Sequence, residues 1–259
     1  MQDTISDAQW ARFQQQGYVH LGRANANEID ALQQRIDEIM LGNADIDYNQ
    51  VMMQLDRSDG PASKPGPQSL GHKGRTLEYR KIQNLELDPL FLAYLQTPLY
   101  QDICARAYEP DTPVACFRAM FMNKPSGLGS HLLWHQDHWT ALDRDPLITI
   151  WTALDPATVA NGCVQVIPGS HRKLINPEHG SGFLNQEQAD EIGARSESTF
   201  LELEAGEVLL LHNWLLHTSA VNQTQQSRRA FSVCYMDAAT KDVNGQAYPV
   251  VFGEGALAA

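Results

Sequence analysis

Six short runs rich in β-branched and aromatic residues fill the second half of this 259-residue sequence, and they constrain its fold more than any other feature. The runs begin after Pro113 and read VACFRAMFMN, LITIWTAL, CVQVIP, TFLELE, GEVLLLH and RAFSVCYMD. Glycine, proline and asparagine residues bound them, which is typical of short strands joined by turns. Several such strands at fairly regular spacing predict a β-sandwich or a β-barrel.

Helical patterns precede these strands. Ser6 and Gln9 form a capping-box pattern, and the helical spacing that follows ends at Gly17. A second helix is predicted from Asn25 to Gly42, with an apolar stripe made by Ile29, Leu32, Ile36, Ile39 and Met40. One more helix is predicted within ELDPLFLAYLQTPLYQDICARAY. Helices followed by strands predict an α+β fold on a mainly β core. We expect one domain over residues 1–259, with a helical part at about 1–110 and the β core at about 111–240.

Two segments are candidates for a lid over a binding site. The first runs from Gly42 to about Arg80 and is rich in glycine, proline and serine; the second runs from Arg172 to about Ser198. Loops this long in compact domains often close over ligands, but plain disorder explains the first segment equally well.

The charge balance limits the partners of the protein. The formal net charge is −12, which argues against nucleic acid and against an anionic membrane surface. The N-terminus MQDTISDAQW is polar and acidic, unlike a targeting peptide. The four cysteines are scattered without a CxxC pair, as expected for reduced thiols. These features predict a cytoplasmic protein that acts on a small molecule, and they indicate no obligate protein partner.

A possible metal site begins with His135 and Asp137. Residues two apart in a strand share a face, so an imidazole and a carboxylate can converge on one point. A second histidine would complete a facial triad that suits non-haem iron(II) and oxygen. His212 and His217 are both candidates, and His217 is favoured because Arg228 follows eleven residues later. An arginine can grip the carboxylate of a cosubstrate with two parallel hydrogen bonds.

Several longer segments resemble the phytanoyl-CoA dioxygenase family of Fe(II)- and 2-oxoglutarate-dependent oxygenases. They are WHQD, IWTALD, NGCVQVIPGSH and LLHTSAVNQTQQSRRA, together with SDAQWARFQQQGYVHL and YRKIQNL nearer the N-terminus. The resemblance implies a double-stranded β-helix, or jelly-roll, with N-terminal helices packed on it. It also implies the use of Fe(II), 2-oxoglutarate and O2, with hydroxylation of a C–H bond and release of succinate and carbon dioxide.

The resemblance assigns roles to eight residues. It implies that His135, Asp137 and His217 hold the catalytic metal, that Arg228 binds the distal carboxylate of 2-oxoglutarate and that Ser219 lies beside it. Three further positions match the lining of the cosubstrate pocket: Lys81, Met120 and Trp151. For Met120 and Trp151 core packing is an equal alternative, and Lys81 could instead be a solvated lysine.

The intact carboxylate of Asp137 bears on the type of reaction. Halogenating relatives carry alanine or glycine there, so the resemblance implies oxidation, not halogenation. Two other functions stay open from the sequence. One is a cupin-like zinc or manganese enzyme catalysing a lyase, isomerase or hydrolase reaction, and the other is a catalytically silent binding protein.

Overall fold

A computed structural model describes residues 1–56, 65–127 and 129–258, without the side chains of residues 194 and 195. The α-helices in these residues are α1 Asp7–Gln16, α2 Ala26–Met40, α3 Pro89–Leu95, α4 Pro98–Tyr108 and α5 Gln186–Arg195. The strands are β1 Tyr18–Arg23, β2 Met52–Leu55, β3 Ser69–Leu70, β4 Tyr79–Gln83, β5 Val114–Lys124, β6 Leu132–His135, β7 Ile148–Ala153, β8 Val164–Val166, β9 Thr199–Leu201, β10 Glu207–His212, β11 His217–Ser219, β12 Arg228–Asp237 and β13 Val250–Phe252. None of the helices in the described part of the chain is long and apolar enough to cross a membrane.

The first two helices begin and end where the sequence predicts. The Ser6 hydroxyl accepts a hydrogen bond from the backbone N–H of Gln9, and the Gln9 side chain accepts one from the N–H of Ser6. The chain leaves α1 at Gly17 with a left-handed φ of 82°, which costs glycine little. All five residues of the apolar stripe on α2 are buried. Capping and amphipathic spacing therefore determine this part of the fold.

The prediction of a single helix before the β core is wrong, because two helices form there. α3 ends at Leu95 and α4 starts with Pro98 in its first turn. Proline has no N–H to continue a preceding helix, but its fixed φ suits the start of a new one. The break at residues 96 and 97 follows directly.

The predicted loop from Gly42 to Arg80 also needs correction. It contains β2 and β3 and the start of β4, and β2 pairs with both of these strands. Met53 on β2 is fully buried, in the same apolar cluster as Ile36 of α2. The described part of this segment is therefore an edge of the sheet, while residues 57–64 lie outside the described residues. The second lid candidate likewise contains a helix, α5.

Two antiparallel sheets form the core of the described chain. The larger has the order β1-β10-β7-β12-β5-β4-β2-β3, with β13 beside β5, and the smaller has the order β6-β11-β8-β9. Trp151 and Leu209 of the larger sheet share an apolar cluster with Val164 and Leu201 of the smaller sheet. The two sheets therefore pack face to face, as expected for a jelly-roll.

The helices cover the other face of the larger sheet. Ile150 of β7 and Phe231 of β12 lie in one apolar cluster with Leu32 of α2 and Ile103 of α4. β7 is consequently buried on both faces, and all six of its residues are buried. This double burial explains why LITIWTAL is nearly continuous in apolar character and does not alternate.

Candidate metal centre

His135 and His217 face each other across the β6–β11 ladder. They are direct Cα partners in the antiparallel register, and their ring centroids lie 4.1 Å apart. The Nδ1 of His135 lies 2.8 Å from the carbonyl oxygen of Leu133, and the Nδ1 of His217 lies 2.8 Å from that of Leu215. A carbonyl can only accept, so both Nδ1 atoms carry hydrogen. In each ring Nε2 is therefore the nitrogen that is available to a metal ion.

Asp137 supplies the oxygen that completes this group. Its Oδ1 lies 3.9 Å from the Nε2 of His135, and its Oδ2 lies 3.9 Å from the Nε2 of His217. Two atoms each roughly 2.1 Å from one ion can be at most about 4.2 Å apart, so the spacing fits a shared metal. Burial, reinforced by His217, lowers the pKa of His135 to about 3, which keeps its imidazole free of a competing proton. These three residues could hold one metal ion.

Strand alternation does not place Asp137, because β6 ends at His135. The N–H of Asp137 instead donates to the carbonyl of Asn213 over 2.7 Å. Asn213 is itself buried, accepting from the Thr149 hydroxyl over 2.7 Å and donating to the carbonyl of Pro146 over 2.9 Å. Asn213 thus positions the carboxylate, a role that sequence patterns do not reveal.

Gln136 lies between His135 and Asp137 in the sequence, and its side chain anchors this part of the backbone through three hydrogen bonds. It is fully buried, and its amide nitrogen donates to the carbonyls of Lys173 and Trp214 over 2.8 and 2.7 Å. Its amide oxygen accepts from the N–H of Ile175 over 2.7 Å. A Cβ added at Gly182, which has a φ of 62°, would lie 2.0 Å from the backbone oxygen of Gln136. Neither Gln136 nor Gly182 was predicted from the sequence as part of the site.

Arg228 is buried in the same region, and no described residue forms an ion pair with it. It is 4% exposed, its Nε has no hydrogen-bond partner, and the described residues offer it no ion pair. Its guanidinium carbon lies 5.6 Å from the ring centroid of Trp151, within cation–π distance. Burial lowers the pKa of Arg228 to about 10. Such an arginine needs an anion, because an unpaired buried charge is costly.

The neighbouring Arg229 is the opposite case. Its guanidinium binds Asp155 through two nitrogens at 2.8 and 2.9 Å and Asp37 through a third at 2.7 Å. Desolvation alone would lower its pKa, but hydrogen bonds and charge from these carboxylates raise it. Within the part of the chain that the structure describes, adjacent strand positions therefore carry one arginine with ion-pair partners and one without.

All eight residues proposed from the sequence line one cavity of about 230 Å³. They are His135, Asp137, His217, Ser219, Arg228, Lys81, Met120 and Trp151. Lys81 is half-buried on β4 and lines this cavity. Burial, followed by the charges of Arg80 and Arg118, lowers its pKa to about 8. Lys124, which was not predicted from the sequence, also lines the cavity and is paired with Arg228 in the β5–β12 register. Burial, followed by the charges of Arg228 and Arg80, lowers its pKa to about 7.

Two other histidines lie near the triad but outside it. The Nδ1 of His212 accepts a hydrogen bond from the N–H of Trp214 over 3.0 Å, and burial lowers the pKa of His212 to about 4. His138 lies 2.6 Å from a carboxylate oxygen of Asp145 and 2.8 Å from the carbonyl of Pro177. Both rings already have partners of their own.

The sequence profile of the family described as phytanoyl-CoA dioxygenase (PhyH) matches residues 13–230. A phytanoyl-CoA dioxygenase of Arabidopsis thaliana is 28% identical over 181 residues, which cover 68% of this chain and 60% of that protein. This match thus spans less than two thirds of the Arabidopsis protein. The phytanoyl-CoA dioxygenase domain-containing protein 1 of Danio rerio is 28% identical over 279 residues, covering 91% of each chain.

Two solved structures show the same fold. EctD from S. alaskensis with 2-oxoglutarate and 5-hydroxyectoine has a TM-score of 0.70 at 21% identity, and the match covers all of this chain and 84% of that one. The non-heme alpha ketoglutarate dependent carbocyclase SnoK from nogalamycin biosynthesis has a TM-score of 0.68 at 18% identity, covering 93% of this chain and 87% of that one. The jelly-roll with N-terminal helices, expected from the sequence, is therefore confirmed.

Proposed function

This chain belongs to the phytanoyl-CoA dioxygenase family, and from that premise we propose that it is an Fe(II)- and 2-oxoglutarate-dependent dioxygenase. The proposed reaction hydroxylates a C–H bond of a small metabolite and releases succinate and carbon dioxide. We further propose that residues 1–259 act as one domain, since Ile5 and Phe252 lie in the same buried cluster.

One observation carries this proposal: three residues that could hold a metal ion line the same cavity as a buried arginine that has no ion-pair partner among the described residues. A cupin-like enzyme with zinc or manganese would use the triad but would leave Arg228 without an anion. A silent binding protein would need neither group. A dicarboxylate cosubstrate accounts for both, because one end can reach the metal while the other neutralises the arginine.

Each residue of the site has a distinct role in the proposed reaction. His135, Asp137 and His217 hold the iron on one face, which leaves positions for the cosubstrate and oxygen. Arg228 binds the distal carboxylate of 2-oxoglutarate, with the Ser219 hydroxyl beside it. Three other residues complete the cosubstrate pocket, namely Lys81, Met120 and Trp151. When bound, the iron and 2-oxoglutarate supply the activation of oxygen, and the protein supplies orientation and exclusion of water.

Hydroxylation is the outcome we propose among several oxidations. Asp137 occupies the third ligand position, so no site opens for a halide as it would with alanine or glycine. The fold also supports other oxidations, since SnoK is a carbocyclase. The product therefore has to be identified directly.

The test is a metabolite screen that reads substrate-dependent succinate release under air, followed by mass analysis of the product. The proposal predicts one equivalent of succinate per product and a gain of one oxygen atom. Chloride in the product would contradict the hydroxylase assignment, and a product formed without 2-oxoglutarate would contradict the class of enzyme. Asp137→Ala is the negative control.

A further inference from the structure

The cavity carries more positive charge than iron and 2-oxoglutarate would use. The described residues that line it include a single carboxylate, Asp137, and five basic side chains: Arg80, Lys81, Arg118, Lys124 and Arg228. The two charges of Fe(II) would be balanced by Asp137 and one carboxylate of 2-oxoglutarate, and Arg228 by the other. Asp56 partly offsets Arg80 and Lys124. The remaining positive charge suits a second anion.

Arg118 is the cation best placed to meet that anion. It is half-buried on β5, and the described residues give its guanidinium no hydrogen bond or ion pair. The guanidinium carbon lies 4.7 Å from the ring centroid of Phe117 and 5.0 Å from that of Trp139. Stacking on two rings holds the planar fork in place while its N–H groups stay free to donate.

A β-bulge creates this arrangement. In the β5–β12 register Arg118 pairs with Cys234 while Cys116 pairs with Tyr235, so Phe117 is the extra residue. A bulge redirects side chains, and bulges are frequent beside active sites. Phe117 packs edge-on against Trp139 at 4.7 Å and against Tyr248 at 5.4 Å. Arg118 and Trp139 line the cavity, and Phe117 and Tyr248 extend this group of rings without lining the cavity themselves.

This group adjoins the candidate metal centre. Trp139 lies two residues after Asp137, and the charges of both Arg118 and Asp137 act on Lys81. Arg228, in contrast, stacks on Trp151 of β7 and lies in register with Lys124. The two arginines therefore serve separate parts of the cavity, and one dicarboxylate does not account for both.

We propose that Phe117, Arg118, Trp139 and Tyr248 form the subsite for the substrate to be oxidised. Arg118 binds a carboxylate or phosphoryl group of that small molecule, and the Trp139 ring, supported by Phe117 and Tyr248, covers its apolar part. Naming this ligand the substrate rests on the proposed function, whereas anion binding at Arg118 does not.

The test measures binding without turnover. The protein is loaded with Fe(II) and saturated with 2-oxoglutarate under anoxia, so that Arg228 is occupied, and is titrated by calorimetry with benzoate, phenyl phosphate and neutral benzamide. We expect one or both anions to bind at least tenfold more tightly than benzamide. Arg118→Gln should remove this preference, Arg118→Lys should restore part of it, and Arg12→Gln, at an exposed arginine, should leave it unchanged.

The preferred anion separates the two ligand chemistries, since benzoate reports a carboxylate and phenyl phosphate a phosphoryl group. Equal binding of benzamide, binding that survives Arg118→Gln, or no binding of either anion at millimolar concentration would overturn the proposal. The visible absorbance of the iron–2-oxoglutarate complex is recorded in the same samples. Its absence from wild type would count against the proposed function alone, while its presence together with Arg118-independent binding would count against the subsite alone.

Discussion

The two adjacent arginines should respond to the same substitution in opposite ways. Arg228 is 4% exposed and has no ion-pair partner among the described residues, whereas Arg229 binds Asp155 and Asp37. Replacing each with glutamine removes one charge at neighbouring positions of one strand. The two substitutions therefore form a matched pair that separates cosubstrate binding from stability.

For 2-oxoglutarate affinity we expect a large effect at Arg228 and none at Arg229. Removing one partner of a buried hydrogen-bonded charge pair costs about 2–5 kcal/mol. At about 1.4 kcal/mol per factor of ten, Arg228→Gln should raise the Kd for 2-oxoglutarate by about 30-fold or more. Arg228→Lys keeps the charge but not the planar fork, so we expect at least about a tenfold rise.

For stability of the protein without ligands we expect the reverse order. Arg228→Gln removes an uncompensated buried cation and should raise the free energy of unfolding, by roughly 1 kcal/mol. Arg229→Gln removes the ion-pair partner of Asp155, whose side chain is 16% exposed and, among the described residues, keeps hydrogen bonds only from the backbone N–H of residue 229 and the Gln33 amide. This substitution should lower the free energy of unfolding by about 1–3 kcal/mol.

Urea unfolding of metal-free protein and titration of the Fe(II) protein with 2-oxoglutarate under anoxia provide the two readouts. Equal changes in Kd for Arg228→Gln and Arg229→Gln would refute the assignment of the carboxylate clamp. A loss of stability in Arg228→Gln would refute the claim that its charge is uncompensated in the free protein.

Three further predictions use other parts of the site. His212→Ala should keep its iron while His217→Ala loses it, as measured by metal analysis after anaerobic purification; the reverse would exchange their roles. Gly182→Ala should weaken iron binding by about 10–100-fold, because the added Cβ displaces the backbone of Gln136 and with it the outer support of the ligands; an unchanged iron Kd would contradict this. Burial lowers the pKa of Lys124 to about 7, against about 10.4 in an unfolded chain, so between these values the unfolded state binds more protons and stability rises with pH. Lys124→Met should flatten that rise in urea unfolding of the metal-free protein from about pH 7 to 9, and an unchanged slope would mean that Lys124 titrates normally.

Local patterns were sufficient to predict much of the fold. Ser6 and Asn25 cap helices because their side chains accept backbone hydrogen bonds within a few residues, so their effect is visible in sequence. The strands β2 to β4 were not predicted, because their pairing is made with distant partners; Lys81, for example, pairs with Met122. Short strands of mixed polarity have no periodicity that would reveal this.

In the candidate site, too, some residues could be predicted from the sequence and others could not. The triad and Arg228 could be proposed because their side chains have distinctive chemistry at a recognisable spacing. Asn213 and Gln136 could not, since amide side chains are common and their role depends on contacts with distant residues such as Pro146 and Lys173. The subsite around Arg118 depends on a bulge in the β5–β12 register, which the sequence does not show.

The most direct measurement of the proposed function is an anaerobic titration of metal-free protein, first with Fe(II) and then with 2-oxoglutarate, followed by visible absorbance. We predict one iron per chain and an absorbance band that appears only when both are present. Asp137→Ala should fold normally but give no band, while Arg229→Lys should match the wild type. Iron that binds equally well to Asp137→Ala, or a wild-type protein that gives no band with 2-oxoglutarate, would contradict the assignment of the triad and the cosubstrate.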